Sequence, residues 1–202
     1  MSDEPSPAYL ELRRYFEAHS NATRLLHVAA EDYAAARCLL LNGLFPGLTL
    51  GAQAIEKTLK SYLLLRDPKT DVKKLSHSLT KLLEDGSKRF PQLGLSQFAP
   101  LVAKFRQHYQ MRYPDNSDGS TSVTTADLFK LDTFIVFLNE NLPCPRNVKY
   151  RTRFYAAITF SLGYQATVTP TESWIKNNNR ALAPLLSRIE ADYALVVREL
   201  YP

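Results

Sequence analysis

Leu128, Leu131, Ile135, Leu138 and Leu142 alternate steps of three and four residues, the period of one α-helical face, and an extended strand would scatter them over both sides of a sheet. Thr124 or Thr125 supplies the cap, and Pro143-Cys144-Pro145 closes the segment. This stripe and four others like it predict a mostly helical chain.

The first of the others runs from about Asn21 to Asn42, with Leu26, Ala29, Ala30, Tyr33, Ala36 and Leu40 on one face, a cap at Ser20 or Asn21 and a stop at Gly43. The second, about Leu48 to Leu65, aligns Leu48, Ala52, Ile55, Leu59, Tyr62 and Leu63, keeps Gln53, Lys57 and Lys60 on a separate polar stripe, and ends at Asp67-Pro68. A shorter third helix follows Ser76-His77-Ser78 with Leu79, Leu82 and Leu83 and stops by Gly86 or at Phe90-Pro91. The fourth, about Ser96 to Arg112, turns Leu101, Val102, Phe105 and Tyr109 inward and halts at Tyr113-Pro114.

Beyond residue 142 the pattern changes. Val148 to Tyr164 is ambiguous, because Lys149, Arg151 and Arg153 alternate with Tyr150, Thr152 and Phe154 as in a strand, whereas Ala156-Ala157-Ile158 suits a helix. The alternation tips the reading towards a short β-hairpin. A long helix from about Arg180 to Leu200 ends the chain, with Leu182, Leu185, Ile189, Tyr193, Val196 and Leu200 on one face and Asn178 or Asn179 as cap. The predicted organisation is an N-terminal arm (1–19), a helical bundle (20–142) and an extension packed on it (143–202).

Charge is uneven. Of 25 basic and 20 acidic side chains, residues 143–202 hold 8 basic and 4 acidic, and Arg146, Lys149, Arg151 and Arg153 cluster with Tyr150, Phe154 and Tyr155 among them. That mixture offers phosphate neutralisation and base stacking, so Lys149, Arg151 and Arg153 form a candidate accessory patch for nucleic acid; the competing reading is a basic strand that packs its aromatics on the bundle. Two cysteines, Cys38 and Cys144, have no metal-ligand spacing and are too few for a disulfide framework. With no apolar run near the roughly 18 residues of a membrane span and acids where a signal peptide carries basic residues, the expectation is a cytoplasmic protein with no metal, no cofactor and no membrane partner.

Ala30-Glu31-Asp32-Tyr33 through Asn42-Gly43, then Gly51-Ala52-Gln53-Ala54-Ile55-Glu56-Lys57-Thr58-Leu59-Lys60, Ser76-His77-Ser78-Leu79 and Tyr109-Gln110-Met111-Arg112-Tyr113-Pro114-Asp115 together resemble the HEPN domain family (higher eukaryotes and prokaryotes nucleotide-binding) over about residues 20–142. The resemblance implies an all-α, antiparallel up-and-down bundle of about five helices. It further implies a homodimer whose facing helices line a polar cleft. Some members are metal-independent ribonucleases of toxin-antitoxin or phage-defence systems, whose protein partners include nucleotidyltransferase-type antitoxins; others bind nucleotides, RNA or partners without cleavage.

Metal-free RNA cleavage needs a base for the 2'-hydroxyl proton and a cation for charge developing on the phosphate, which the family meets with an Arg-x4-6-His pair. Counting forward from Arg112 reaches Ser117, Asp118 and Gly119, and from Arg106 it reaches Met111, Arg112 and Tyr113. Tyr113 is a phenol with an ordinary pKa of about 10, a poor base at neutral pH. Arg13 or Arg14 to His19 has the spacing, but it stands before the first bundle helix. The expectation is therefore a non-catalytic cleft binding a nucleotide or RNA through Lys57, Lys60, Arg106, His108, Arg112 and Tyr113. Two alternatives stay open: an endoribonuclease working through His108 or the Arg14-His19 pair, and a purely structural dimerisation module.

Overall fold

The computed structural model describes residues 6–110, 123–159 and 170–200, and among these every regular element is helical. In order they are α1 (Pro7–Ala18), α2 (Ser20–Leu41), α3 (Pro46–Arg66), α4 (Leu79–Arg89), α5 (Ala99–Gln110), α6 (Thr125–Glu140), α7 (Arg146–Lys149), α8 (Arg153–Thr159), α9 (Pro170–Lys176) and α10 (Leu186–Leu200), with single 3-10 turns between several of them. The protein is an all-α helical bundle.

Its spine is the α2–α3 hairpin. Gly43 adopts φ +69°, the left-handed backbone that a glycine enters without a Cβ penalty, and the chain reverses there. The two helices then run antiparallel in close register, with Ser61 Oγ donating to the Ala22 carbonyl at 3.1 Å near the far end. Leu48, Ile55, Leu59, Tyr62 and Leu63 of α3 meet Leu26, Tyr33, Ala36 and Leu40 of α2, all buried. Each such side chain contributes about 1.5–3 kcal/mol on leaving water.

Helices α4 and α5 pack on α3, and α6 lies against both α2 and α3, where the Tyr62 hydroxyl donates to the Leu138 carbonyl. At Gly51 a Cβ would stand 2.5 Å from the Phe105 ring, so α5 seats on α3 only because that position has no side chain. Helix starts follow local chemistry. Ser78 Oγ accepts from Lys81 N–H at 3.5 Å at the head of α4, and Asp127 Oδ2 accepts from the Thr124 N–H and hydroxyl at 2.9 and 2.8 Å at the head of α6.

Two sequence expectations are corrected, the hairpin and the cap of α2. The segment read as a hairpin, Val148 to Tyr164, runs through the end of the Arg146–Lys149 helix, a turn at 150–152 and the Arg153–Thr159 helix; positions 160–164 lie outside the described residues. A lone hairpin would need a sheet partner for its backbone groups, whereas the helical turn satisfies them locally, as in Tyr150 N–H to Arg146 O at 3.1 Å. The N-terminal arm is largely helix α1, held to the chain end by Ser6 Oγ donating to the Leu200 carbonyl at 3.0 Å. The start of α2 is capped by neither Ser20 nor Asn21, because His19 holds the cap position and contributes no side-chain bond.

The extension is joined to the bundle by a buried polar network. Tyr33 donates its hydroxyl to Asp132 at 2.7 Å, and Asn179 Nδ2 donates to the Tyr33 hydroxyl at 2.8 Å. Asn179 Oδ1 also accepts the Leu182 N–H at 3.1 Å, so the expected asparagine cap does start the last helical stretch, although its α-helix begins only at Leu186. No helix among the described residues is long and apolar enough to cross a membrane.

Candidate functional site

Lys57 and Lys60, expected to face a ligand, are each committed to an acid. Lys57 pairs with Asp32 of α2 and donates to Gln53 at 3.3 Å. Lys60 is buried, with Nζ 2.9 Å from Glu56 Oε1, and the exposed His77 ring places Nδ1 2.9 Å from the same oxygen. His77 therefore reaches back to α3, while the cap of α4 belongs to Ser78. Lys57 bridges α3 to α2, Lys60 pairs within α3, and each is locally neutralised.

Arg106 is exposed on α5. His108 lies on the last turn of that helix, and its side chain is outside the described set, as are Arg112, Tyr113 and Asp115 entirely. Around the alternative pair, the His19 ring stacks on Tyr15 at 4.0 Å between centroids, Arg13 pairs with Glu17 at 3.0 Å, and Arg14 is exposed on α1.

Much of the C-terminal basic run is likewise paired. Arg146 reaches Glu199 at 3.3 Å and Asp192 at 3.8 Å. Lys149 donates to the Glu140 carbonyl at 2.9 Å, satisfying the end of α6, and lies within 5.5 Å of the Tyr150 and Tyr155 ring centres. Burial lowers the pKa of Lys149 and pushes the Cys144 thiol beside it up to about 12, which keeps that thiol protonated. Cys38 and Cys144 are both free. Among the described residues no group of three or more histidine, cysteine or carboxylate side chains is arranged to hold a metal.

Arg151 and Arg153, the latter paired with Glu31, also border a depression in the surface. Together with Phe16, Ser20, Thr23, Arg24, His27 and Thr152 they line a groove of about 340 Å³ where the first turns of α2 meet the start of α8. Among the described residues the lining has three arginines, a histidine and no carboxylate. Arg24 and His27 are exposed, Arg151 and Arg153 half-buried, and among the described residues Glu31 lies 2.8 Å from Arg153 Nε. The N-terminal N–H groups of α2 begin at this groove, where no side chain caps them, adding the positive end of the helix dipole. Phe16 supplies one aromatic wall.

The arrangement suits a phosphate-bearing ligand, because arginine offers paired donors to phosphate oxygens and a ring face can stack a base. Sequence reasoning singled out Arg151 and Arg153 but missed Arg24 and His27. The signal was present: Ser20, Thr23, Arg24 and His27 fall at i, i+3, i+4 and i+7, a polar stripe beside the apolar one.

No protein-family model, curated protein or solved structure matches this chain. The class defined by fold and groove is an all-α bundle with a cationic surface groove.

Proposed function

We propose that this chain is a HEPN-like, non-catalytic homodimeric module that binds RNA or a nucleotide through its phosphates, and that the groove of Arg24, His27, Arg151 and Arg153 is the contact surface. The observation that carries the reading is the groove lining, three arginines and a histidine with no carboxylate among the described residues, beside a helix N-terminus. The cleft around Lys57 and Lys60 is the weaker candidate: both lysines are matched by Asp32 and Glu56, whereas in the groove Arg153 pairs with Glu31 while Arg24 and His27 are exposed.

The test is fluorescence anisotropy with a labelled single-stranded oligouridylate, with uridine monophosphate as a competitor. Arg24→Ala with His27→Ala is expected to weaken binding about tenfold or more, and Lys57→Ala to leave it within about twofold. If no oligonucleotide binds and no nucleotide raises the melting temperature, the chain is a structural dimerisation module instead, because a ligand selective for the native state must stabilise it.

One observation favours a second reading, a metal-independent endoribonuclease. His27 and the arginines share one groove, which brings an imidazole able to accept a proton next to the cations that an RNA-cleaving site needs. Incubating the protein with RNA in EDTA decides the matter: cleavage abolished by His27→Ala, and retained in His19→Ala and His108→Ala, would establish the enzyme.

A further inference from the structure

The opposite end of α2, about 30 Å from the arginine groove, borders a second depression of about 500 Å³ lined by Leu41, Thr125, Ala126, Leu128, Phe129, Asp132, Asn178 and Arg180. Its walls are apolar and unusually bare, with Phe129 50% and Leu41 40% exposed. Asp132 is only 2% exposed, yet it lies on this wall. Among the described residues both hydrogen bonds to Asp132, from Tyr33 and from Arg37, end on Oδ1, which leaves Oδ2 as an acceptor without a protein donor. Arg180 is exposed on the same lining and forms no ion pair among the described residues.

We propose that this groove binds a small, flat, anionic molecule that carries a neutral N–H donor. The donor goes to Asp132 Oδ2, the ring against Phe129 and Leu128, and the anionic group to Arg180. The donor is neutral because Arg37, its Nε 3.3 Å from Oδ1, already balances the Asp132 charge, so an ammonium would meet the guanidinium behind it. The body is flat and apolar because the wall it covers is an aromatic ring and two leucines, which gain most from a stacked face. The anion follows from Arg180, whose forked donors match a carboxylate or phosphate. Asp132 Oδ2 is not sealed from solvent, so a ligand donor takes the place of water at an acceptor that the protein leaves open. The site is independent of the arginine groove in residues and in ligand chemistry.

Isothermal titration calorimetry at pH 7.5 tests this with indole-3-acetate, which has the ring, the N–H and the anion. The comparators are 1-naphthaleneacetate, which lacks the N–H, and tryptamine, which replaces the anion with a cation. The expected result is one site per chain for indole-3-acetate, with 1-naphthaleneacetate and tryptamine each about tenfold weaker. Arg180→Ala and Phe129→Ala alter exposed side chains and leave the fold intact; each is expected to weaken indole-3-acetate about five- to tenfold. Equal affinity for the two acids, tighter binding of tryptamine, no heat with indole-3-acetate up to millimolar concentration, or indifference to Arg180→Ala would each overturn the proposal.

Discussion

Arg37 and Asp132, 95 positions apart in sequence, meet in the core with Arg37 Nε donating to Asp132 Oδ1 at 3.3 Å. The remaining guanidinium nitrogens of Arg37 donate to the carbonyls of Trp174 and Asn177 at 3.1 and 3.0 Å, so one fully buried cation ties α2, α6 and the end of α9 together. Carbonyls at a helix end are natural acceptors for a cation, and here they replace the water that Arg37 gave up.

Replacing Arg37 by methionine should cost about 3–5 kcal/mol, because Asp132 is left as a buried acid without its cation and α9 loses two donors. Urea unfolding measures the loss, and faster limited proteolysis within residues 170–200 reports release of the extension. Equal proteolysis of the variant and the wild type would show that the extension is held by apolar contacts alone.

Burial outweighs Arg37 and the Tyr33 hydrogen bond and raises the Asp132 pKa from 3.8 to about 6. A carboxyl whose pKa is higher in the folded than in the unfolded state binds more protons when folded, so its contribution to stability is present at low pH and is lost as pH rises from about 4 to about 6. The size of this contribution is about 3 kcal/mol. The melting temperature of the wild type minus that of Asp132→Asn, followed from pH 4 to pH 8, should fall across that window and be flat above about pH 7. A difference that rises with pH would reverse the assignment.

Gly51→Ala should destabilise by about 1–3 kcal/mol, since the new Cβ meets the Phe105 ring at 2.5 Å and α5 must shift. Gly43→Ala, with open space around it but φ +69°, should cost only about 1 kcal/mol through backbone strain. Thermal melts of the two variants test this order.

Glu31→Gln removes the carboxylate that sits on Arg153 at the edge of the arginine groove. Oligouridylate affinity should rise about two- to fivefold, and Arg24→Ala should reduce the dependence of log affinity on log salt by about one phosphate contact. Unchanged salt dependence in Arg24→Ala would remove that residue from the contact surface.

The bundle was legible in the sequence because its signal is local. Apolar residues three and four apart, Ser78 and Thr124 before such runs, Gly43 after one and Pro68 beyond another depend only on the backbone geometry of a few turns, and they set α2 to α6 close to where they lie. The helical nature of Arg146 to Thr159 was not legible, because its alternating cations and aromatics mimic a strand until Lys149 is seen capping α6 and Arg153 reaching Glu31.

What only the tertiary structure decided is which charges are available. The Gln53, Lys57 and Lys60 stripe reads as a ligand surface until Asp32 and Glu56 are found on it, and Arg24 reads as an ordinary solvated residue until α8 brings Arg151 and Arg153 alongside. A helix face follows from the periodicity of one segment, but a cation's role depends on its nearest carboxylate. That distance is set by how segments far apart in sequence pack, because Coulombic and hydrogen-bond energies fall off over a few ångströms rather than along the chain.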